Sequence, residues 1–228
     1  LDDDDLKGGR GDDILDGEDG LDEAEYDSET GNLGIVVDLE NGTATDTFGD
    51  TDTLISFERI RGSQHDDLSG GSSGNDDRLR GIEGDDRING GDGDDTLVGG
   101  AGNDELDGGA GQDRVSYALD NDNSNTNGVF VHLVRGSATD THGGTDLLTS
   151  IEDVVGSNRD DRVIGDRGAN SLIGIDGADL LWANTGDDTP SGGDGGDRLF
   201  GHFATDTIMR DADDDFVVGR VGHHRFDR

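Results

Sequence analysis

The chain has no cysteine, one proline, one tryptophan and one methionine among its 228 residues. Without cysteine there is no disulfide, no thiolate metal site and no cysteine nucleophile. Bases are scarce: 17 Lys and Arg stand against 55 Asp and Glu, for a formal charge of −38. No basic stripe is available to displace counterions, which argues against nucleic acid as a partner. No apolar run approaches a membrane span, and no signal peptide opens the chain. Apolar residues never recur at three-and-four spacing over a useful length, so no helix is expected. Only 29% of residues are hydrophobic and 4% aromatic, while 41 are glycine. Left to itself such a chain buries too little apolar surface to offset its entropy and self-repulsion, and stays disordered.

The acids and glycines are nevertheless in phase. Four consecutive nine-residue units, 81–89, 90–98, 99–107 and 108–116, nearly repeat Gly-Gly-x-Gly-x-Asp-x-apolar-x. The glycine-rich half is a tight loop carrying a carboxylate, and the other half is a three-residue strand with one inward apolar side chain. Further copies occupy 8–16 (Asp13, Leu15) and, more weakly, 17–25 (Asp22). Others hold phase from Gly156, starting at 156, 165, 174, 183, 192, 201, 210 and 219. Fidelity decays along that last run. Asn170 replaces the carboxylate in one unit, and Pro190 sits at an inward strand position, where its missing N–H should weaken the rung. Beyond Gly201 the spacing outlasts most of the glycines, so the end is expected to cap the array or fray.

Two longer segments between the nonads are copies of each other. Gly34-Ile35-Val36-Val37-Asp38-Leu39 matches Gly128-Val129-Phe130-Val131-His132-Leu133, and Gly62-Ser63 matches Gly156-Ser157, both at an offset of 94 residues. Tyr26 and Tyr117 correspond at 91, so about three residues are added in the Asn-rich stretch 120–127. Alternation around Ile35, Val37 and Leu39 reads as strand. The organisation expected is a nonad block at 1–25, a longer-rung β segment at 26–61 and a nonad block at 62–116. A second longer-rung segment follows at 117–155, then a nonad block at 156–228 decaying into a cap. The longer segments either widen the rungs of one solenoid or form a small β-sandwich, which units of this size could hardly support.

This nonad is the long-established calcium-binding parallel β-helix repeat of RTX proteins, and the chain resembles that family. The resemblance implies an all-β parallel β-roll, export unfolded through type I secretion, and folding on calcium outside the cell. It also implies an enzyme, toxin or adhesive region elsewhere in a larger secreted chain. The opening at Leu1, inside what reads as a partial repeat with Asp4 and Leu6, suits a segment of such a protein.

In a β-roll two nonads make one turn, so residues eighteen apart stack about 4.8 Å apart. Asp77, Asp95 and Asp113 then form one column and Asp86 with Asp104 another. Later in the chain Asp161, Asp179 and Asp197 align, as do Asn170, Asp188 and Asp206. Unneutralised carboxylates so close repel or take up protons. Calcium removes the conflict, because it accepts six to eight oxygens in adaptable geometry, whereas magnesium is stricter and zinc prefers His or Cys. The candidate metal residues are Asp13, Asp22, Asp77, Asp86, Asp95, Asp104, Asp113, Asp161, Asp179, Asp188 and Asp197, with loop glycines Gly91, Gly93, Gly100, Gly102, Gly109 and Gly111. Several ions are expected. Neighbouring acids such as Asp12, Asp85 and Asp94 are expected to tune affinity.

Other motifs carry less. Gly70-Gly71-Ser72-Ser73-Gly74 matches the G-x-S-x-G nucleophile elbow but lacks the strand–turn–helix setting that motif needs. His223-His224 reads as a solvated tail before a transition-metal site, and no H-E-x-x-H occurs. Glu58 and Glu152 read as structural acids holding loop N–H groups, with extra calcium ligation as the alternative. Trp182 and Tyr117 read as packing residues. The functional expectation is a non-catalytic calcium-binding module. The alternatives are an auxiliary or catalytic module of a secreted polysaccharide epimerase or lyase, metalloprotease or lipase, or a segment of an adhesin or surface layer.

Overall fold

A computed structural model describes residues 2–118, 127–209, 214–221 and 225–227. The Asn-rich insertion, His223-His224 and parts of the last two nonads lie outside the described residues. The described chain is an all-β parallel solenoid, and its one helical element is the 3-10 turn Leu133–Arg135. No described helix is long and apolar enough to cross a membrane. Two compact units divide it, Leu1–Asp113 and Arg114–Arg228.

In the first unit, one sheet stacks Asp5–Leu6, Glu23–Glu25, Arg59–Arg61, Arg78–Glu83 and Thr96–Ala101, all parallel. The opposite sheet runs in space from Ile14–Asp16 through Thr51–Ile55, Thr43–Thr45, Val36–Asp38 and Leu68–Gly70 to Arg87–Asp92 and Glu105–Ala110. The nonad strands pair at the eighteen-residue spacing, Leu79 beside Leu97 and Ile88 beside Leu106.

The longer-rung segment takes a specific form here. Val36–Asp38, Thr43–Thr45 and Thr51–Ile55 make an antiparallel meander within one sheet, so that sheet gains three strands where its opposite gains one. Its last strand pairs in parallel with Ile14–Asp16 and its first with Leu68–Gly70, so the roll continues on both sides of the insertion. Alternation sets the faces: Ile35 and Val37 are buried, and Val36 is exposed.

The second unit repeats the plan. Arg114–Ser116, Asp153–Val155, Ser171–Asp176, Thr189–Asp194, Thr207–Met209 and Arg225–Asp227 form one parallel sheet. The other carries the meander Phe130–His132, Ser137–Thr139 and Thr145–Thr149, followed by Arg162–Ile164, Leu180–Trp182, Arg198–Phe203 and Phe216–Val221. Past Gly201, where glycines fail, strand pairing persists to Asp227, with a register irregularity at His202.

Each unit's core is a thin aliphatic ladder between its sheets. Leu15, Leu79, Ile88, Leu97, Leu106, Val115, Val163, Leu172, Leu181 and Leu199 are all buried. Burying one such side chain contributes about 1.5–3 kcal/mol, against about 1–2 kcal/mol of backbone entropy for every residue ordered. With one ladder residue per nine, apolar burial alone does not hold the fold.

Pro190 does what its chemistry dictates. Donor direction alternates along a parallel strand, and Thr189 N bonds back to Asn170 O, so position 190 faces the following rung. Proline has no N–H to offer there. Pairing with the preceding strand covers Ser171↔Thr189 through Asp176↔Asp194, whereas pairing with the following strand is Ser191↔Met209.

Candidate metal centre

Each nonad loop brings its sixth-position aspartate back over its own first glycine. A Cβ added to Gly90 would collide with Asp95 Oδ2 and stand 2.5 Å from Gly108 O of the next rung. A Cβ on Gly81 would meet Asp86 Oδ2 and Gly99 O in the same way. The space that a side chain would fill is therefore a small cradle bounded by a carboxylate oxygen and a carbonyl oxygen from adjacent rungs. The second and fourth glycines open it further. Gly100 and Gly102 have φ of 105° and 151°, and a Cβ on either would collide with a carbonyl oxygen of the preceding rung, that of Ile82 or Gly84. Gly91, Gly93, Gly109 and Gly111 hold the same left-handed conformations.

The aspartates form the columns expected, and one oxygen of each is used by the backbone. Asp77 N donates to Asp95 Oδ1 at 2.8 Å, Asp95 N to Asp113 Oδ1 at 2.9 Å, and Asp86 N to Asp104 Oδ1 at 2.9 Å. In the second unit Asp161 N donates to Asp179 Oδ1 and Asp179 N to Asp197 Oδ1, both at 2.8 Å. Asn170 N donates to Asp188 Oδ1 at 2.9 Å and Asp188 N to Asp206 Oδ1 at 3.2 Å.

The other oxygen is left over. Asp86, Asp95, Asp179 and Asp188 each keep Oδ2 buried with no hydrogen-bond partner, as do Asp13 and Asp22. Burial pushes the Asp86 carboxyl up to about 8, helped by the Asp67 and Asp104 charges and opposed by the Asp67 N–H. Burial likewise raises Asp179 to about 8, Asp188 to about 7 and Asp95 to about 6, each with neighbouring aspartates adding to it. A bare carboxylate in these loops needs a proton or a cation. The donors are all oxygen, the orphan atoms recur at several levels, and the cradle has no side chain in it. That set fits a hard divalent ion of calcium type.

The rungs are not equivalent. Asp161 is saturated by protein donors: Ser157 N at 2.6 Å on Oδ2, with Ser157 Oγ and Val129 N, both at 2.8 Å, on Oδ1. Asp67, which the sequence reading passed over, is held identically by Ser63 N, Ser63 Oγ and Ile35 N. It is the 94-residue counterpart of Asp161, so the matched Gly62-Ser63 and Gly156-Ser157 carried the signal. Asp77 is intermediate: Ser72 N and Oγ occupy Oδ2, while Oδ1 is buried without a partner. Ser72 is thus committed to an aspartate within a loop, as its setting in the elbow-like motif requires. The Asn170 amide closes its own rung, accepting from Asp166 N and donating to Glu152 O.

Position-five acids lie outside the cradle and staple loops together. Asp94 Oδ1 accepts from Gln112 N, Asp85 Oδ1 from Asn103 N and Asp12 Oδ1 from Thr51 N. Glu58 Oε2 accepts from Asp22 N at 3.2 Å, the structural role expected of it. Tyr117 is buried with its OH on Asp146, and Trp182 packs on Phe200 beside the Arg162 guanidinium. Among the described residues, three carboxylates converge within 4.8 Å at Asp5, Glu23 and Glu25. There Glu25 already pairs with Lys7 at 2.6 Å and Arg61 at 3.7 Å.

A family model described as RTX calcium-binding nonapeptide repeat, four copies, matches residues 1–24, 71–106, 80–115, 89–123, 155–190 and 191–222. None of the curated proteins matches the chain. Among solved structures, the chain is similar to the crystal structure of extracellular lipase LipA from Serratia marcescens, at 20% identity over 72% of the chain and a TM-score of 0.18. The chain spans 32% of that lipase's length.

Proposed function

The chain belongs to the RTX calcium-binding nonapeptide repeat family, and we propose that it is a module whose folding and calcium binding are one equilibrium. It is a calcium-binding repeat array; its proposed task is to stay unfolded where calcium is scarce and to become a stiff β-roll outside the cell. The proposed ligands are the orphan carboxylate oxygens of Asp13, Asp22, Asp86, Asp95, Asp179 and Asp188, with the buried column members Asp104, Asp113 and Asp197. The observation carrying this reading is the recurrence of a buried carboxylate oxygen with no partner at successive levels of the roll.

The bound ion supplies positive charge and a flexible oxygen shell; the chain supplies everything else. Glycines clear the cradle, peptide N–H groups fix one oxygen of each aspartate, and burial keeps water from competing. Asp67 and Asp161, saturated by serine donors and a strand N–H, are proposed to begin their blocks without an ion of their own. Each site held at about a hundred times its dissociation constant adds on the order of 2.7 kcal/mol to folding, provided the unfolded chain does not bind. A few such sites outweigh the deficit left by a thin apolar ladder. The module is proposed to be a structural, secretion-associated part of a larger secreted protein, and to be non-catalytic itself.

Circular dichroism tests this. In excess chelator near neutral pH the spectrum should be that of an unstructured chain, and added calcium should restore β signal cooperatively. A full β spectrum in chelator at that pH would overturn the reading.

A further inference from the structure

We propose that the outer face of the second unit's meander-bearing sheet binds a linear acidic polysaccharide, with its aromatic rings stacking on sugar rings and Arg162 and Arg198 pairing with their carboxylates. This goes beyond the calcium reading: it needs the roll folded but uses none of the metal ligands.

Val131, Val163, Leu181 and Leu199 are all 0% exposed in the core ladder, so the residues flanking each of them point out of the roll. Strand register sets these in two columns. One reads Phe130, Arg162, Leu180, Arg198, Phe216, and the other His132, Ile164, Trp182, Phe200, Val218. Neither contains an acid, in a chain that has 55. The matching columns of the first unit do contain them: Val36, Leu68, Arg87, Glu105 and Asp38, Gly70, Asn89, Asp107. There the arginine is neutralised, since Arg87 pairs with Glu105 at 2.7 Å. The chain's one tryptophan lies on the acid-free face of the second unit.

The rings and cations are interleaved. Ring centroids of Trp182 and Phe200 are 5.7 Å apart, and those of Phe200 and Phe216 are 6.1 Å apart. The Arg162 guanidinium lies 4.9 Å from the Trp182 ring and 5.1 Å from that of Phe130. Arg198 lies 5.7 Å from the Phe200 ring and 5.9 Å from that of Phe216. Both arginines are exposed and, among the described residues, neither is in an ion pair. A guanidinium held against a ring keeps in-plane N–H donors for an anion, and their fork matches a carboxylate. The two cations stand two rungs apart, about 9–10 Å at the strand spacing. A straight polymer with an apolar ring face and a carboxylate on each sugar can meet rings and cations together along such a row.

Two other occupants fit less well. A contact between identical faces must be self-complementary, and this face offers cations but no anion to its own copy. An anionic bilayer is wider than two columns and would meet the acidic loops on either side of the sheet, where Asp160 and Asp187 are exposed. A single polymer strand touches the face alone, and charges more than about 8 Å away are largely screened at physiological salt.

Trp182 is the only tryptophan, so its fluorescence reads this face. The full calcium-loaded chain is titrated with a soluble galacturonic acid oligomer and, in parallel, with its methyl ester, while circular dichroism checks the fold. The acid should change Trp182 emission saturably, and the ester should bind about tenfold more weakly or worse. Arg162→Gln and Arg198→Gln should each cost about tenfold in affinity for the acid, whereas Arg87→Gln should cost nothing. Should one of the two face variants fail to fold, the other is read alone. No saturable change up to millimolar acid, or an affinity that the face variants leave unchanged, overturns the proposal. A Trp182 response to protein concentration alone, or to phosphatidylserine vesicles and not to the acid, also overturns it, in favour of a second copy or a membrane. An Arg198-dependent response from a chain whose β signal ignores calcium would support this site and refute the calcium reading.

Discussion

The peptide N–H of Asp161 donates to Oδ1 of Asp179 at 2.8 Å, and Oδ2 of that same Asp179 is buried with nothing to accept from. One oxygen sets the register of adjacent turns and the other is available to an ion. Rung spacing and metal binding are therefore coupled through a single side chain, and losing the ion leaves a buried carboxyl that must take up a proton or carry an unpaired charge where the turns meet.

Adjacent aspartates should behave differently on this account. Asp95→Asn removes charge from the cradle and should cost about 2–3 kcal/mol of calcium-loaded stability, the scale of a lost charged contact. Asp94→Asn touches an exposed loop-to-loop bond and should cost less than about 1 kcal/mol. Denaturant melts at saturating calcium measure both, and equal effects would place the ion elsewhere.

Substituting the second-position isoleucines should stabilise the fold. Ile82 and Ile175 have φ of 102° and 97°, where a β-branched residue is strained and Gly100 or Gly193 is not. Ile82→Gly should gain on the order of 1 kcal/mol, and Gly100→Ile should lose more because Ile82 O occupies the needed space. Thermal melts in calcium settle the sign.

Protons should substitute imperfectly for calcium. The folded, metal-free chain keeps protons on Asp86 and Asp179 up to about 8, whereas the unfolded chain releases them near 3.8. Between those values the folded state binds more protons, so its metal-free stability is greatest below 3.8 and is lost as pH rises toward about 8. In chelator, acidification from about 8 to about 4 should therefore raise the β signal. Calcium binding near neutrality should release protons, measurable by calorimetry in buffers of different ionisation heat. A metal-free chain that loses β signal on acidification would reverse the argument.

Pro190→Val should strengthen the third block. It restores an N–H toward the following rung and a branched strand residue, worth about 1 kcal/mol or more, less the entropy proline removes from the unfolded chain. A net gain of about 0.5 kcal/mol and added hydrogen-exchange protection at Thr207–Met209 are expected. Lower protection there would show that Pro190 is not the limiting contact.

The nonads made much of this fold legible. Their period fixes both which residue faces inward and which stacks above it, so the ladder from Leu15 to Leu199 is buried and Asp86 stacks against Asp104 of the next rung. The meanders were legible only as β segments. Alternation identifies Val36–Asp38 as strand, but pairing it antiparallel to Thr43–Thr45 and parallel to Leu68–Gly70 depends on partners distant in sequence. For the same reason Asp52 was not seen as the residue that continues the Asp13 column at a spacing of 39. The serine that saturates Asp161 was visible as a matched Gly-Ser pair, yet its effect appears only when Ser157 Oγ and Val129 N meet on one carboxylate.

Crystals of the calcium-loaded chain, with anomalous diffraction collected for calcium, put the question most directly. An anomalous peak about 2.3–2.6 Å from Oδ2 of Asp86, Asp95 and Asp179 is the expected result. Well-ordered rungs with water, or no density at all, beside those three oxygens at saturating calcium would contradict the account.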